Sequence, residues 1–494
     1  MNNPLVLGPV FIPLAGAVIC LFMARSNQAQ RYVALAASIG ALITSVAVLL
    51  ANLEQGPQVY RLGGWPVPYG IVLVADMLSS VFAVMATFVI ATGFLYALKS
   101  RDKSASYPAF FPLFLTMSTG LAGSLYTGDI FTLFVFLELM VISSVVLVAI
   151  SDNRLGLEAA IKYLLISAMG TLFLLFGIGA IYASFGTLNI ADIARLLQFE
   201  GRPLLAQVAA VLLMSAFLLK SAVFPFHFWQ PDFHTTAPTA VGALLSSVVV
   251  KVGVYGLIRL TTLLFTEEAP LIRELLLVLG IIGIFFGSLG ALRTYDGKRL
   301  LAYSTFGQIG FILVGIGWGT PLALVAAIVY AFNHALIKAA LLMLTGVVAS
   351  RTMTKTSHLN KLLGAGYKLT ATGGLYFLGG MALAGVPPMN GFISKLALVR
   401  GGIEAGSWLP LGLAVGAGIL TMLYMFRTWQ LIFQQAPPED LELKPEGDSP
   451  LAPGILIATS VALGIYAVPL IDVAQRTVEQ LGNPLIYIQA VIGG

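Results

Sequence analysis

Apolar runs follow one another along nearly the whole chain, each about the twenty residues that an α-helix needs to cross bilayer hydrocarbon. In lipid every backbone donor and acceptor must be satisfied inside the structure, which leaves helices or closed barrels. Continuous rather than alternating apolar runs select helices. With 58% hydrophobic and 10% charged residues, a soluble domain of this length is excluded. The chain is expected to be an all-α polytopic membrane protein with about fourteen transmembrane helices.

The opening run, Pro4 to Met23, has no basic residue ahead of it, the first being Arg25. It therefore reads as a retained helix and not as a secretory signal. Basic residues gather in alternate loops: Arg25 and Arg31; Lys99, Arg101 and Lys103; Arg293, Lys298 and Arg299; Arg351, Lys355, Lys361 and Lys368. The positive-inside rule puts those loops in the cytoplasm and both termini on the outer side of the cell's inner (plasma) membrane. The net charge of +5 reflects this bias, with no nucleic-acid partner implied. Residues 187–199, and the tail after Ile471, read as short interfacial helices. The acidic, proline-rich stretch from Ala436 to Pro450 reads as an extramembrane loop.

Charge inside the runs is the second constraint. Glu138, Lys220, Lys251, Lys338 and Lys395 fall within apolar stretches. An ionised group at mid-bilayer costs roughly 2.5–3.5 kcal/mol on insertion scales, so such residues are ion-path candidates. Snorkelling serves only near helix ends. A buried glutamate and a buried lysine restore each other's charge when together, and the lysine tends to release its proton when they part. Glu138 and Lys220 are the natural pair. Lys251 has no acidic neighbour on its helix, which suits it to passing a proton on. His334 and Lys338, one turn apart, share a helix face, and Asn333 adds polar atoms beside them. Lys395 ends the series, with water completing a chain through the middle of the membrane. Static ion pairs and hydrogen-bonded packing residues are the plainer reading of each group.

Lys162 and Glu158, at i,i+4 spacing near the start of the sixth span, are possible accessory groups, although snorkelling explains them equally well. Asp129 reads as a helix-end residue and Asp76 has no clear role. Arg259 and Arg427 read as span-end anchors. His227, Asp232 and His234 lie among Pro225, Pro231 and Pro238, which favours a rigid connector over a metal site. The single cysteine, Cys20, offers no disulfide framework. No phosphate-binding glycine loop or nucleophile motif is present. No cofactor, metal or catalytic residue is expected, and the driving force must come from an ion gradient or a partner.

Pro225 follows Lys220 in the seventh span, and Pro387–Pro388 precede Lys395 in the twelfth. Proline breaks the helical ladder, and in a membrane the freed backbone is tolerated only where protein or water satisfies it. Two broken helices an odd number of spans apart fit inverted repeats. The expected organisation is 1–107 for helices 1–3 and 108–262 for a first five-helix repeat. A second, inverted repeat would cover 263–433, and 434–494 would hold a loop, helix 14 and the tail.

Five stretches resemble the antiporter-like family shared by Mrp-type cation/proton antiporters and the membrane arm of respiratory complex I. They are Gly128–Met140 (GDIFTLFVFLELM), Leu219–Asp232 (LKSAVFPFHFWQPD), Lys298–Gly310 (KRLLAYSTFGQIG), Asn333–Ala340 (NHALIKAA) and Pro387–Lys395 (PPMNGFISK). The stretch Gly63–Ser79 and the ending at Tyr487–Gly493 resemble the D-type subunits of the Mrp group. The resemblance implies fourteen helices with two inverted five-helix repeats and an ion pair of Glu138 with Lys220. It also implies a proton path through Lys251, Lys338 and Lys395, and neighbouring subunits on both flanks. The expected activity is proton translocation in a multi-subunit Na+/H+ antiporter. A redox-driven pump subunit of complex I or a membrane-bound hydrogenase, and a non-transporting scaffold, are the alternatives.

Overall fold

The computed structural model describes residues 2–199, 201–439 and 441–493. Among them, ten helices are long and apolar enough to cross a membrane, or up to eleven if one bent pair counts as a single span. The chain is a multi-pass membrane protein. Each of the expected apolar runs lies on helix, but several are shorter or bent, so length and composition alone return fewer spans than the fourteen expected.

A first group comprises α1 (Gly8–Phe22), α2 (Asn27–Gln55), α3 (Met77–Leu98), α4 (Phe110–Tyr126), α5 (Ile130–Ala149) and α6 (Arg154–Phe185). After the short α7 (Ile190–Phe199) come α8 (Leu204–Lys220), the two-turn α9 (Gln230–Thr236) and α10 (Thr239–Leu264). The second half holds α11 (Ala269–Arg293), α12 (Gly297–Trp318), α13 (Pro321–Ala349), α14 (Thr370–Ala384), α15 (Asn390–Glu404) and α16 (Trp408–Gln434). The chain closes with α17 (Leu451–Ile465), α18 (Val468–Leu481) and α19 (Pro484–Ile492). Helix starts are written in polar caps: the side chains of Ser26, Asp76, Asp129, Asn153, Asp296 and Thr320 each accept a first-turn N–H. Gly186, Gly319 and Gly385 end α6, α12 and α14 in the left-handed conformation.

The most apolar stretch of α10 is entirely buried, and those of α12 and α13 are 94% and 89% buried. These three helices form an inner layer, while α1, α2, α5, α6, α11 and α16 turn more than half of theirs outward to lipid. The inner layer is where Lys251 and Lys338 reside. Two turns of wider π type, at residues 245–249 and 260–264, interrupt α10 on either side of the segment from Lys251 to Arg259.

Four features differ from expectation. A hairpin of β1 (Gln58–Arg61) and β2 (Val72–Ala75) precedes α3, so the third span starts at Met77 and not at residue 74. The seventh span stops at Lys220: Ala222 adopts a positive φ of 53° and the chain runs through turns as far as Trp229. The last span bends by 79° between α17 and α18. Asp76 and Arg259, read as roleless and as an anchor, are joined in a buried bidentate ion pair. Arg259 Nη1 lies 2.6 Å from Asp76 Oδ2, and Nη2 bonds the other oxygen. By contrast, residues 187–199 and the tail do form the expected short helices, and Asp129 caps α5. The loop after α16 is tied down by Asp448, which accepts from the Tyr96 hydroxyl at 2.7 Å and from the Arg101 N–H at 2.8 Å.

Candidate functional site

Lys220 is the last residue of α8, and its 5% exposed side chain sits where carbonyls lose their helical partners and the helix dipole is negative. Its Nζ lies 4.0 Å from Glu138 Oε1 and makes no hydrogen bond among the described residues. Glu138, on α5, accepts instead from the hydroxyl of Thr171 on α6. The two charges attract but are not clasped. Glu138 is also 28% exposed, so its carboxylate opens to one flank of the bundle.

Lys251 and Lys338 are completely buried. Lys251 follows the first wide turn of α10, and its Nζ finds no hydrogen-bond partner among the described residues. Lys338 Nζ donates to the Ser304 hydroxyl at 2.7 Å and to the Leu301 carbonyl at 3.0 Å. His334, one turn from Lys338, is 2% exposed, with both ring nitrogens free of hydrogen bonds among the described residues. His234, on α9, is a second buried imidazole. His234 is 1% exposed, and its nitrogens are as bare as those of His334. Lys251, Lys338, His234 and His334 are thus four buried titratable groups carried by the inner layer and the adjoining α9. The rigid-connector reading of this segment did not foresee that α9 buries the His234 ring inside the protein. His227 is stacked on Phe306 at 4.6 Å between ring centroids.

Beyond Lys338 the polar line continues through residues that sequence reasoning passed over. Ser304 Oγ bonds the Tyr424 hydroxyl at 2.8 Å. Gln308, one turn from Ser304 on α12, accepts from the Tyr330 hydroxyl at 2.6 Å. Tyr330 stacks on Phe311, and Lys395 Nζ lies 5.5 Å from the centre of that same ring. Lys395 donates to the carbonyl of Ala384, the last residue of α14, at 2.6 Å. Lys220 and Lys395 therefore both sit at the C-terminal end of a broken half-helix.

The remaining candidates fall elsewhere. Asn333 is committed to the start of α15: its amide donates to Ser394 Oγ at 2.9 Å and receives Asn390 Nδ2 at 3.0 Å. Lys162 pairs with Glu158 at 2.7 Å, as the spacing predicts, and with Asp232 at 3.1 Å, but is 45% exposed. Asp232 also binds Arg299 at 2.9 Å, so this acid of the His227–His234 segment is an ion-pair residue. No cluster of metal-ligating side chains occurs among the described residues.

Known proteins are similar to this chain in sequence and fold. The family profile described as NADH:quinone oxidoreductase/Mrp antiporter, TM, matches residues 127–421, a stretch that holds Glu138, Lys220, Lys251, His334, Lys338 and Lys395. The D-type Na+/H+ antiporter subunit of Alkalihalophilus pseudofirmus is 32% identical over 496 residues, with 100% of each chain covered. The N-type NADH-quinone oxidoreductase subunit of Desulforudis audaxviator is 34% identical over 438 residues, covering 87% of this chain and 86% of the relative. A chain of the Mrp complex from Dietzia sp. superposes with a TM-score of 0.90 at 26% identity, covering 99% of both chains. The chain belongs to the NADH:quinone oxidoreductase/Mrp antiporter transmembrane family.

Proposed function

We propose that the chain is a proton-translocating subunit of a multi-subunit Na+/H+ antiporter. Protons would move through a mid-membrane chain of Glu, Lys and His side chains bridged by water. The observation that carries this reading is the unclasped Glu138–Lys220 pair, 4.0 Å apart, at the head of a line of buried amines and imidazoles. An amine held near a carboxylate keeps its proton, and the same amine drawn away in an apolar setting gives it up. A proton loaded at Glu138–Lys220 passes to Lys251, crosses the His234–His334 pair to Lys338, and reaches Lys395 by way of Ser304, Tyr424 and the Gln308–Tyr330 pair.

The match to a D-type antiporter subunit over the whole of both chains supports the antiporter setting. Glu138 is open on one side of the bundle and Lys395 is partly exposed at the far end of the line, so neighbouring subunits belong on both flanks. In this reading the two five-helix units, 108–262 and 263–433, are inverted copies that meet at the Lys251–Lys338 cluster, and both termini face outward.

The test is antiport in everted vesicles with the assembled complex, under sodium, lithium, potassium and calcium gradients. Glu138→Ala and Lys220→Ala are each expected to abolish it. Exchange that survives both substitutions with the complex intact rules out the transport role. A redox-driven pump subunit is the second reading, favoured by the 34% identity to an NADH-quinone oxidoreductase subunit. Genes for quinone- or hydrogenase-module subunits beside this one would favour it, and genes for small antiporter subunits would favour the first.

A further inference from the structure

A cavity of about 430 Å³ lies between α18 and α19, the end of α10, and the starts of α11 and α13. Its walls differ in character. Leu324, Val478, Leu481 and Pro484 make one side apolar, while Gln198, Thr262 and Arg273 make the other polar. Among the described residues, Arg273 is the single charged side chain lining it. Its Nη2 makes one long hydrogen bond, 3.3 Å, to the Thr261 carbonyl, and its buried Nε has no partner among the described residues. Glu268, earlier on the same polypeptide stretch, does not line the cavity, and Glu267 is paired with Arg202.

The Arg273 side chain packs over Gly319, in space that a larger residue there would occupy. At φ 65° that residue has no Cβ, and one added there would come within 2.6 Å of Arg273 Cδ. A cation half-satisfied and facing an open cavity lacks an anion. Guanidinium groups of this kind bind phosphate bidentately. The apolar wall adds a requirement that a free anion does not meet. α18 is amphipathic, with Val478 and Leu481 turned into the cavity, and helices of this type lie at headgroup depth in a bilayer. A volume of this size accommodates a headgroup and the first methylenes of its chains.

We propose that this cavity is a binding site for the phosphate group of an anionic phospholipid, with the phosphate on Arg273 and the glycerol end along Val478 and Leu481. The site lies away from the proton line and adds a lipid requirement that the transport reading does not contain.

The test uses the assembled complex, delipidated in detergent and titrated with phosphatidylglycerol, phosphatidylcholine or inorganic phosphate, with native mass spectrometry as the readout. Arg273→Gln is expected to weaken phosphatidylglycerol retention about tenfold or more, the scale of a lost charge-assisted bond. Gly319→Ala, which displaces the guanidinium without changing charge, should weaken it in the same direction, and Arg273→Lys should keep part of it. Equal retention by wild type and R273Q overturns the proposal. So does phosphatidylcholine bound as tightly as phosphatidylglycerol. Displacement of the lipid by equimolar inorganic phosphate overturns the lipid assignment in favour of a free anion. Binding to the dissociated chain but not to the complex would give the pocket to a neighbouring subunit.

Discussion

Arg259 grips both carboxylate oxygens of Asp76 across 183 residues of chain, joining the start of α3 to the end of the Lys251 segment. Tyr255 reinforces the grip, its hydroxyl receiving Arg259 Nε at 3.1 Å and itself donating to the Leu125 carbonyl at 2.9 Å. The rings of Tyr255 and Tyr487 flank the guanidinium at 5.1 and 5.2 Å.

Removing one partner of a buried pair strands the other charge, at a cost of about 3–5 kcal/mol. Asp76→Asn and Arg259→Met are each expected to lower the thermal unfolding midpoint of the purified complex strongly. The double variant should recover much of that loss, because neither charge is then left alone. A double variant as unstable as the sum of the singles would contradict this account.

The Thr171 hydroxyl holds the Glu138 carboxylate toward Lys220. A hydrogen bond to a charged group is worth about 1.5–3 kcal/mol. Thr171→Val should slow antiport about tenfold with assembly unchanged, and Thr171→Ser should restore most of the rate. Vesicle rates normalised to complex content decide it.

Tyr424→Phe deletes one hydroxyl from the line and keeps the ring. Ser304 still accepts from Lys338 at 2.7 Å, so the fold should hold. Proton transfer should fall several-fold, because the polar connection from Ser304 toward Lys395 is broken. An unchanged proton flux would move the path off α16.

The two histidines of the segment between α8 and α10 should separate cleanly. His234→Ala removes a ring from the lysine cluster and is expected to reduce antiport more than tenfold. His227→Ala removes a stacking contact with Phe306, so its effect should appear in stability. Parallel melting curves and flux assays on both variants distinguish the outcomes.

Much of the architecture was legible because lipid forbids most alternatives. An apolar run that long must be helix, and a charge within it must have a reason. That logic found Lys220, Lys251, Lys338 and Lys395 without any geometry. It did not find Ser304 or Tyr424, because hydroxyls in helices usually bond their own backbone and nothing local marks the ones that reach across. His234 was missed for a related reason: three nearby prolines announce a turn but do not say which way it folds. The hairpin at 58–75 has strands of four residues each, too short to show an alternating pattern against long apolar neighbours. Asp76 read as roleless and Arg259 as a span-end anchor because their partnership depends on packing between helices distant in sequence.

The bond from Lys395 to Ala384 has a mechanical corollary. The oxygen belongs to a half-helix that ends there, so the amine acts as its terminal latch. If Lys395 carries a hydrogen ion as proposed, its departure would leave that carbonyl bare in a greasy surround. Discharge and flexing at the kink would then be coupled, and the coupling rests on this one bond.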